Sequence, residues 1–135
     1  MPTAAALLAR LLLAAFLLVA GVGHLVATDE FLGQTPTFLP WREAIVVVSG
    51  LVEIALAVGL VVLRGERLAR WGWVVGVFFV AVFPGNVWQL VNASDSFGLD
   101  TTTGRVVRLF FQPLLVAWAL WCTGAWPWWR SRRAA

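Results

Sequence analysis

The chain contains no lysine and no tyrosine, and only one cysteine, one histidine and one methionine. Each shortage excludes a class of chemistry. A single cysteine, Cys122, allows neither an internal disulfide nor a CxxC redox pair. A single histidine, His24, cannot supply bis-histidine haem ligation, and Met1 is the only methionine. There is no HExxH, no Cys/His zinc spacing, no glycine-rich phosphate loop and no GxSxG. No metal site and no intrinsic cofactor are therefore expected. Charge is scarce as well: charged residues are 13% of the chain, against about a quarter in a soluble domain.

What is present is apolar. Hydrophobic residues make up 61% of the 135 residues, with a mean hydropathy of +0.85. This composition predicts an all-α integral membrane protein embedded in the lipid bilayer. A span takes about 20 residues, so one domain of four helices fits. The apolar stretches run over about 4–27, 44–63, 69–91 and 105–126. Short connections predict antiparallel neighbours and an up-down bundle. The start has a second reading, because Arg10 followed by Leu11 to Ala20 resembles a signal peptide. A retained helix is favoured, since the apolar run continues beyond a signal's core.

All basic residues are arginine. Their placement reads as the positive-inside bias rather than as nucleic-acid binding. Arg10, Arg64, Arg67, Arg70, Arg130, Arg132 and Arg133 fall on one side if both termini are cytoplasmic. The composition fits a GC-rich bacterial genome, which places the protein in the inner, or plasma, membrane. Trp41, Trp71, Trp73, Trp126, Trp128 and Trp129 lie at predicted interfaces, as an aromatic belt would. Trp88, Trp118 and Trp121 lie deeper and fit either packing or a ligand wall. Gly21, Gly23, Gly50 and Gly59 permit close helix contact.

Glu53 is the sharpest pointer to a site. It lies near the middle of the second apolar run, where a carboxylate costs a few kcal/mol by insertion scales. At about 1.5 Å per residue, Ser49 is about 8 Å and Glu53 about 14 Å below the outer boundary. His24 is near the outer end of the first span, Asn86 and Gln89 near that of the third, and Arg108 and Gln112 within the outer half of the fourth. Ser49 with Glu53, Asn86 with Gln89, and Arg105 with Arg108 and Gln112 each share a helix face. The cytoplasmic half is expected to be almost purely apolar. The result is an outward-opening polar pocket reaching Glu53, with Arg108 as counter-charge, direct or through Gln112 and water. Pro84 and Pro113 are expected to kink their helices and widen it. Interhelical hydrogen bonding alone is the competing account of these groups.

Several motifs appear in order: Gly21-Val22-Gly23-His24-Leu25, Thr37-Phe38-Leu39-Pro40, Ser49-Gly50-Leu51-Val52-Glu53-Ile54, Arg67-Leu68-Ala69-Arg70-Trp71-Gly72, Val82-Phe83-Pro84-Gly85-Asn86, Arg108-Leu109-Phe110-Phe111-Gln112 and Ala117-Trp118-Ala119. Together they resemble the DoxX-like membrane proteins over roughly residues 21 to 119. Gly85 stands where alanine is usual, and Phe110-Phe111 where Pro-Leu is common. The resemblance implies a four-helix membrane protein, with relatives that are accessory membrane components of oxidoreductase systems or assembly factors. The family's motifs include His24, Glu53, Asn86, Arg108 and Gln112 but carry over no catalytic residue.

Three functions stay open at this point. The first is a small-molecule site, for a quinone or similar redox partner, in a non-catalytic subunit of a membrane or extracytoplasmic oxidoreductase. The second is an assembly or docking factor acting through the 28–43 loop, with Phe31, Phe38 and Trp41, whose polar core is structural. The third is a proton or solute pathway through Glu53. Oligomeric state does not follow from the sequence.

Overall fold

The computed structural model describes residues 3–32, 35, 37–84, 87–88 and 102–134. Every element among them is helical: α1 (Ala4–Val26), α2 (Thr28–Leu32), α3 (Arg42–Val62), α4 (Gly65–Ala81), α5 (Thr102–Cys122) and α6 (Ala125–Ala134). By length and composition α1 and α3 can each cross a membrane, and residues 106–122 with α6 make a third, bent candidate.

Local chemistry explains the ends. Thr3 caps α1, its Oγ1 accepting from the Ala6 N–H at 3.0 Å. At the other end Ala27 N–H reaches the Gly23 carbonyl, and the Thr28 hydroxyl donates to the His24 carbonyl at 2.8 Å. Two carbonyls left over by the last turn are thereby satisfied. Arg42 opens α3 and ties down the chain before it, donating through Nη2 to the carbonyls of Leu32 and Thr35 at 2.6 and 2.8 Å. Trp41 precedes it in the left-handed region at φ 53°, an uncommon conformation for a bulky residue.

Two of the expected spans contain breaks. α4 stops at Ala81, where Val82 N–H closes it on the Phe78 carbonyl. Residues 83–84 and 87–88 are helical again, and the end of the expected third span, 89–91, lies outside the described residues. The fourth was expected to continue to about Trp126, but α5 ends at Cys122 and the chain bends by 68° into α6. Gly124 takes a φ of 71° at the break, the left-handed conformation that glycine supplies at helix C-termini. Pro113 lies inside α5, which remains one helix across it.

α1 packs most extensively on α3, and α4 on α5; α1 also meets α5. Leu13 and Leu17 of α1, Leu56 and Leu60 of α3, Val75 and Phe79 of α4, and Leu115 and Ala119 of α5 form one core cluster. The half at the arginine-rich end, expected to be almost purely apolar, encloses two polar side chains. Arg10 and Thr123 are buried there. Three indoles bond to neighbouring backbone at that end: Trp71 to Leu56, Trp73 to Ala125 and Trp118 to Ala9, at 3.0, 3.2 and 2.9 Å. Trp118 is therefore a packing residue, and Trp121 faces outward.

α6 is fastened to the start of α4. Glu66 accepts from Arg70 at 2.7 Å and from Arg132 of α6. Arg70 and Arg132 flank the Trp128 ring at 5.9 and 5.1 Å, and Arg133 lies 4.5 Å over Trp129, in the range of cation–π attraction. The hydrogen bond from Arg70, then the charges of both arginines, hold the Glu66 carboxyl below its usual range. A depressed carboxylate stabilises the folded form above its ordinary pKa, and that contribution is lost as pH falls through the lowered value. Acidification below the carboxylate range is therefore expected to loosen α6 and change the fluorescence of Trp126, Trp128 and Trp129. Glu66→Gln should show the loosened spectrum at neutral pH and no acid response. An unchanged acid response in that variant would assign the effect to another group.

Candidate functional site

Two of the expected polar residues, His24 and Glu53, meet where α1 and α3 pack together. The approach is made possible by two glycines. A Cβ on Gly21 would lie 2.7 Å from the Gly50 carbonyl oxygen, and one on Gly50 would lie 2.6 Å from His24 Cβ. Only hydrogen at both positions lets the backbones touch, as small residues do in membrane helix pairs. One turn beyond Gly21 stands His24, and one turn beyond Gly50, allowing for the opposite chain direction, stands Glu53.

His24 Nδ1 lies 2.9 Å from Glu53 Oε2 and 2.8 Å from the Ala20 carbonyl oxygen. Two acceptors thus crowd one ring nitrogen, and a proton on Nδ1 is what makes both contacts favourable. The better-directed bond is to Ala20. Glu53 Oε2 is buried and makes no well-directed hydrogen bond among the described residues. Glu53 itself is only 8% exposed. Its polar demand is met by charge and proximity rather than by a full set of donors.

Arg108 and Gln112 extend the set across the other two long helices. Arg108 Nη1 donates to Gln112 Oε1 at 3.0 Å, and Gln112 Nε2 donates to the Phe79 carbonyl of α4 at 2.6 Å. Gln112 is 2% exposed, so both ends of its amide are used in the interior. Arg108 is half-buried and within electrostatic reach of Glu53. Arg108 thus bonds directly to Gln112, and among the described residues the group nearest the Glu53 carboxylate is His24 rather than the expected counter-charge Arg108. Ser49 is half-buried one turn from Glu53 and has no hydrogen bond to it among the described residues. Asn86 and Gln89, the remaining members of the expected pocket, lie outside the described residues, as do the side chains of Arg105 and Phe31.

Chemically the set offers a carboxylate, an imidazole and a guanidinium inside apolar helices. It can hold a proton between Glu53 and His24 and can donate N–H groups from Arg108. Among the described residues no three His, Cys, Asp or Glu side chains gather as a metal site would need. At the neighbouring loop Phe38 and Trp41 are 75% and 81% exposed, and Phe38 meets Trp88 edge-on at 5.7 Å.

Sequence reasoning passed over two features. Arg10 is buried, although it served only to orient the chain. Its spacing from Leu13, Ala14 and Leu17 on one helix face was the available signal. The Phe79 carbonyl, the acceptor for Gln112, carries no signal in side-chain identity at all.

The chain belongs to the family described as a domain of unknown function (DUF8561), which matches residues 13–123. No curated protein and no solved structure matches it.

Proposed function

We propose that this DUF8561 chain is a bacterial inner-membrane protein of the DoxX-like type, a four-helix up-down bundle with both termini cytoplasmic. It serves as a non-catalytic membrane subunit of a redox system and holds a quinone-like molecule at the polar set around Glu53. The observation that carries this reading is the buried carboxylate 2.9 Å from the only histidine of the chain. Ionisable residues within a span are expensive and mark functional sites by default. A quinone presents two carbonyl oxygens and an apolar ring. Arg108 and the His24 ring would donate to a carbonyl oxygen, Glu53 would hold a proton near it, and Gln112 would fix Arg108. The arginine-rich helix ends support a cytoplasmic side for that end of the bundle.

The test is native mass spectrometry of the gently solubilised protein with added ubiquinone-2 or menaquinone-2. One bound quinone per chain is expected, and its loss in Glu53→Gln and in Arg108→Ala. Equal retention by the wild type and both variants would remove the reading.

The exposed Phe38 and Trp41 beside the Arg42-anchored turn favour a second reading, in which the loop docks an oxidoreductase or other partner. Capture of that partner should then fail in Trp41→Ala and survive in Glu53→Gln.

A further inference from the structure

We infer that the groove between α1 and α3, with the arginines at its end, is a binding site for an anionic phospholipid. The groove has a volume of about 380 Å³ and is walled by Leu11, Ala14 and Ala15 of α1 and Ala57, Val58 and Val62 of α3. Its lining is aliphatic, with small residues along the floor, which suits a hydrocarbon chain. It lies toward the end of the helix pair opposite His24. Glu53 is about 14 Å from Val62 along the helix axis, so this site is separate from the polar set.

The groove runs into a basic rim. Val62 also borders a second depression, about 450 Å³, formed with Leu63, Arg64, Glu66 and Arg67. Arg64 closes the end of α3 on itself, donating from Nη1 to the carbonyls of Val61 and Leu63. Its other donor nitrogen is not used in that contact. Arg10 stands one turn before Ala14. Its guanidinium is buried behind the rim, within electrostatic reach of Arg64 and Cys122.

Arg64 and Arg67 line the rim, and Arg10 adds a buried positive charge behind it. Arg10 is 3% exposed, its Nε has no hydrogen-bond partner, and no carboxylate pairs with it among the described residues. A buried guanidinium without an anion is costly, and Arg64 beside it raises the cost. A phosphate diester at the rim would pair with Arg64 and Arg67 and offset the charge of Arg10 behind them. Both α1 and α4 begin at this end, and helix N-termini favour an anion as well. Glu66 is occupied by Arg70 and Arg132 and does not neutralise Arg10 or Arg64. The acyl chain in the groove and the phosphate at the rim are thus two halves of one lipid.

The test is native mass spectrometry of the full chain titrated with dioleoyl phosphatidylglycerol or dioleoyl phosphatidylcholine. The wild type should retain the anionic lipid in preference to the zwitterionic one. Arg64→Gln combined with Arg67→Gln should weaken that retention by about thirtyfold. Ala15→Phe, which fills the groove from an exposed position, should also abolish retention while leaving both arginines in place. Glu53→Gln should leave it unchanged, so the outcome does not depend on the quinone reading. Equal retention of the two lipids by the wild type would overturn the proposal. So would unchanged retention of phosphatidylglycerol in Ala15→Phe, which would reduce the rim to general attraction for anions.

Discussion

His24→Leu is expected to destabilise the protein by about 3–5 kcal/mol, the cost of stranding a buried charge, while Glu53→Leu changes stability by less than about 1 kcal/mol. The two residues form one close pair, yet their removal is not symmetric. Without Glu53, the His24 ring still donates to the Ala20 carbonyl 2.8 Å away. Without His24, Glu53 loses the nitrogen at 2.9 Å and its Oε2 has no other well-directed partner among the described residues. A carboxylate in an apolar span then stands with only the more distant Arg108 to offset it. The double variant His24→Leu/Glu53→Leu should recover most of the loss, because an apolar pair of similar volume replaces a buried polar one at little cost. Thermal unfolding in detergent would measure all three. Equal losses for the two single variants, or no recovery in the double variant, would mean that the pair is not the main support of Glu53. The same series separates function from stability: Glu53→Leu should keep the fold and lose the quinone.

The sequence made α1 and α3 legible and α4 and α5 less so, for a physical reason. The apolar runs that form α1 and α3 end where the helices end, at His24 to Ala27 and at Leu63. In the second half the apolar runs continue across breaks in the helices. The stretch after Ala81 remains hydrophobic through Phe83, so hydropathy alone does not show the turn at Val82. Gly124 and Pro127 are a stop signal and a start signal for helices, but they sit between tryptophans that extend the apolar reading.

The site was legible in its members and not in its pairing. Burial cost selected Glu53, and i, i+4 spacing selected Arg108 with Gln112. That His24 rather than Arg108 would approach Glu53 most closely depends on the distance between helix axes. Gly21 and Gly50 set that distance, and only their register against each other shows it. Arg10 was visible as a charge in an apolar run, but its burial depends on tertiary packing, and the groups within its electrostatic reach, Arg64 and Cys122, are more than fifty residues away in the chain.

The glycine register makes the second large effect. Gly50→Ala is expected to cost about 1–3 kcal/mol, the range of overpacking in a filled interior, and Gly50→Val more. The added Cβ would stand 2.8 Å from the Gly21 carbonyl oxygen and 2.6 Å from His24 Cβ. Neither contact can be relieved by rotating the end of a flexible side chain. The carbonyl belongs to the α1 backbone, and a Cβ moves only with its helix. Relief therefore requires α1 and α3 to separate, which carries His24 away from Glu53. Helix propensity works in the opposite direction, since alanine is favoured over glycine by up to about 1 kcal/mol in a helix interior; the steric term outweighs it at Gly50. Gly76 tests that balance within the same molecule. A Cβ there would meet Leu120 Cδ2 at 3.6 Å and Val116 Cγ1 at 3.8 Å, ordinary van der Waals distances. Gly76→Ala should therefore be neutral or stabilising. Unfolding midpoints of the two alanine variants should fall on opposite sides of the wild type or nearly so. If Gly50→Ala were as stable as Gly76→Ala, the close contact of α1 and α3 would not be what brings His24 and Glu53 together.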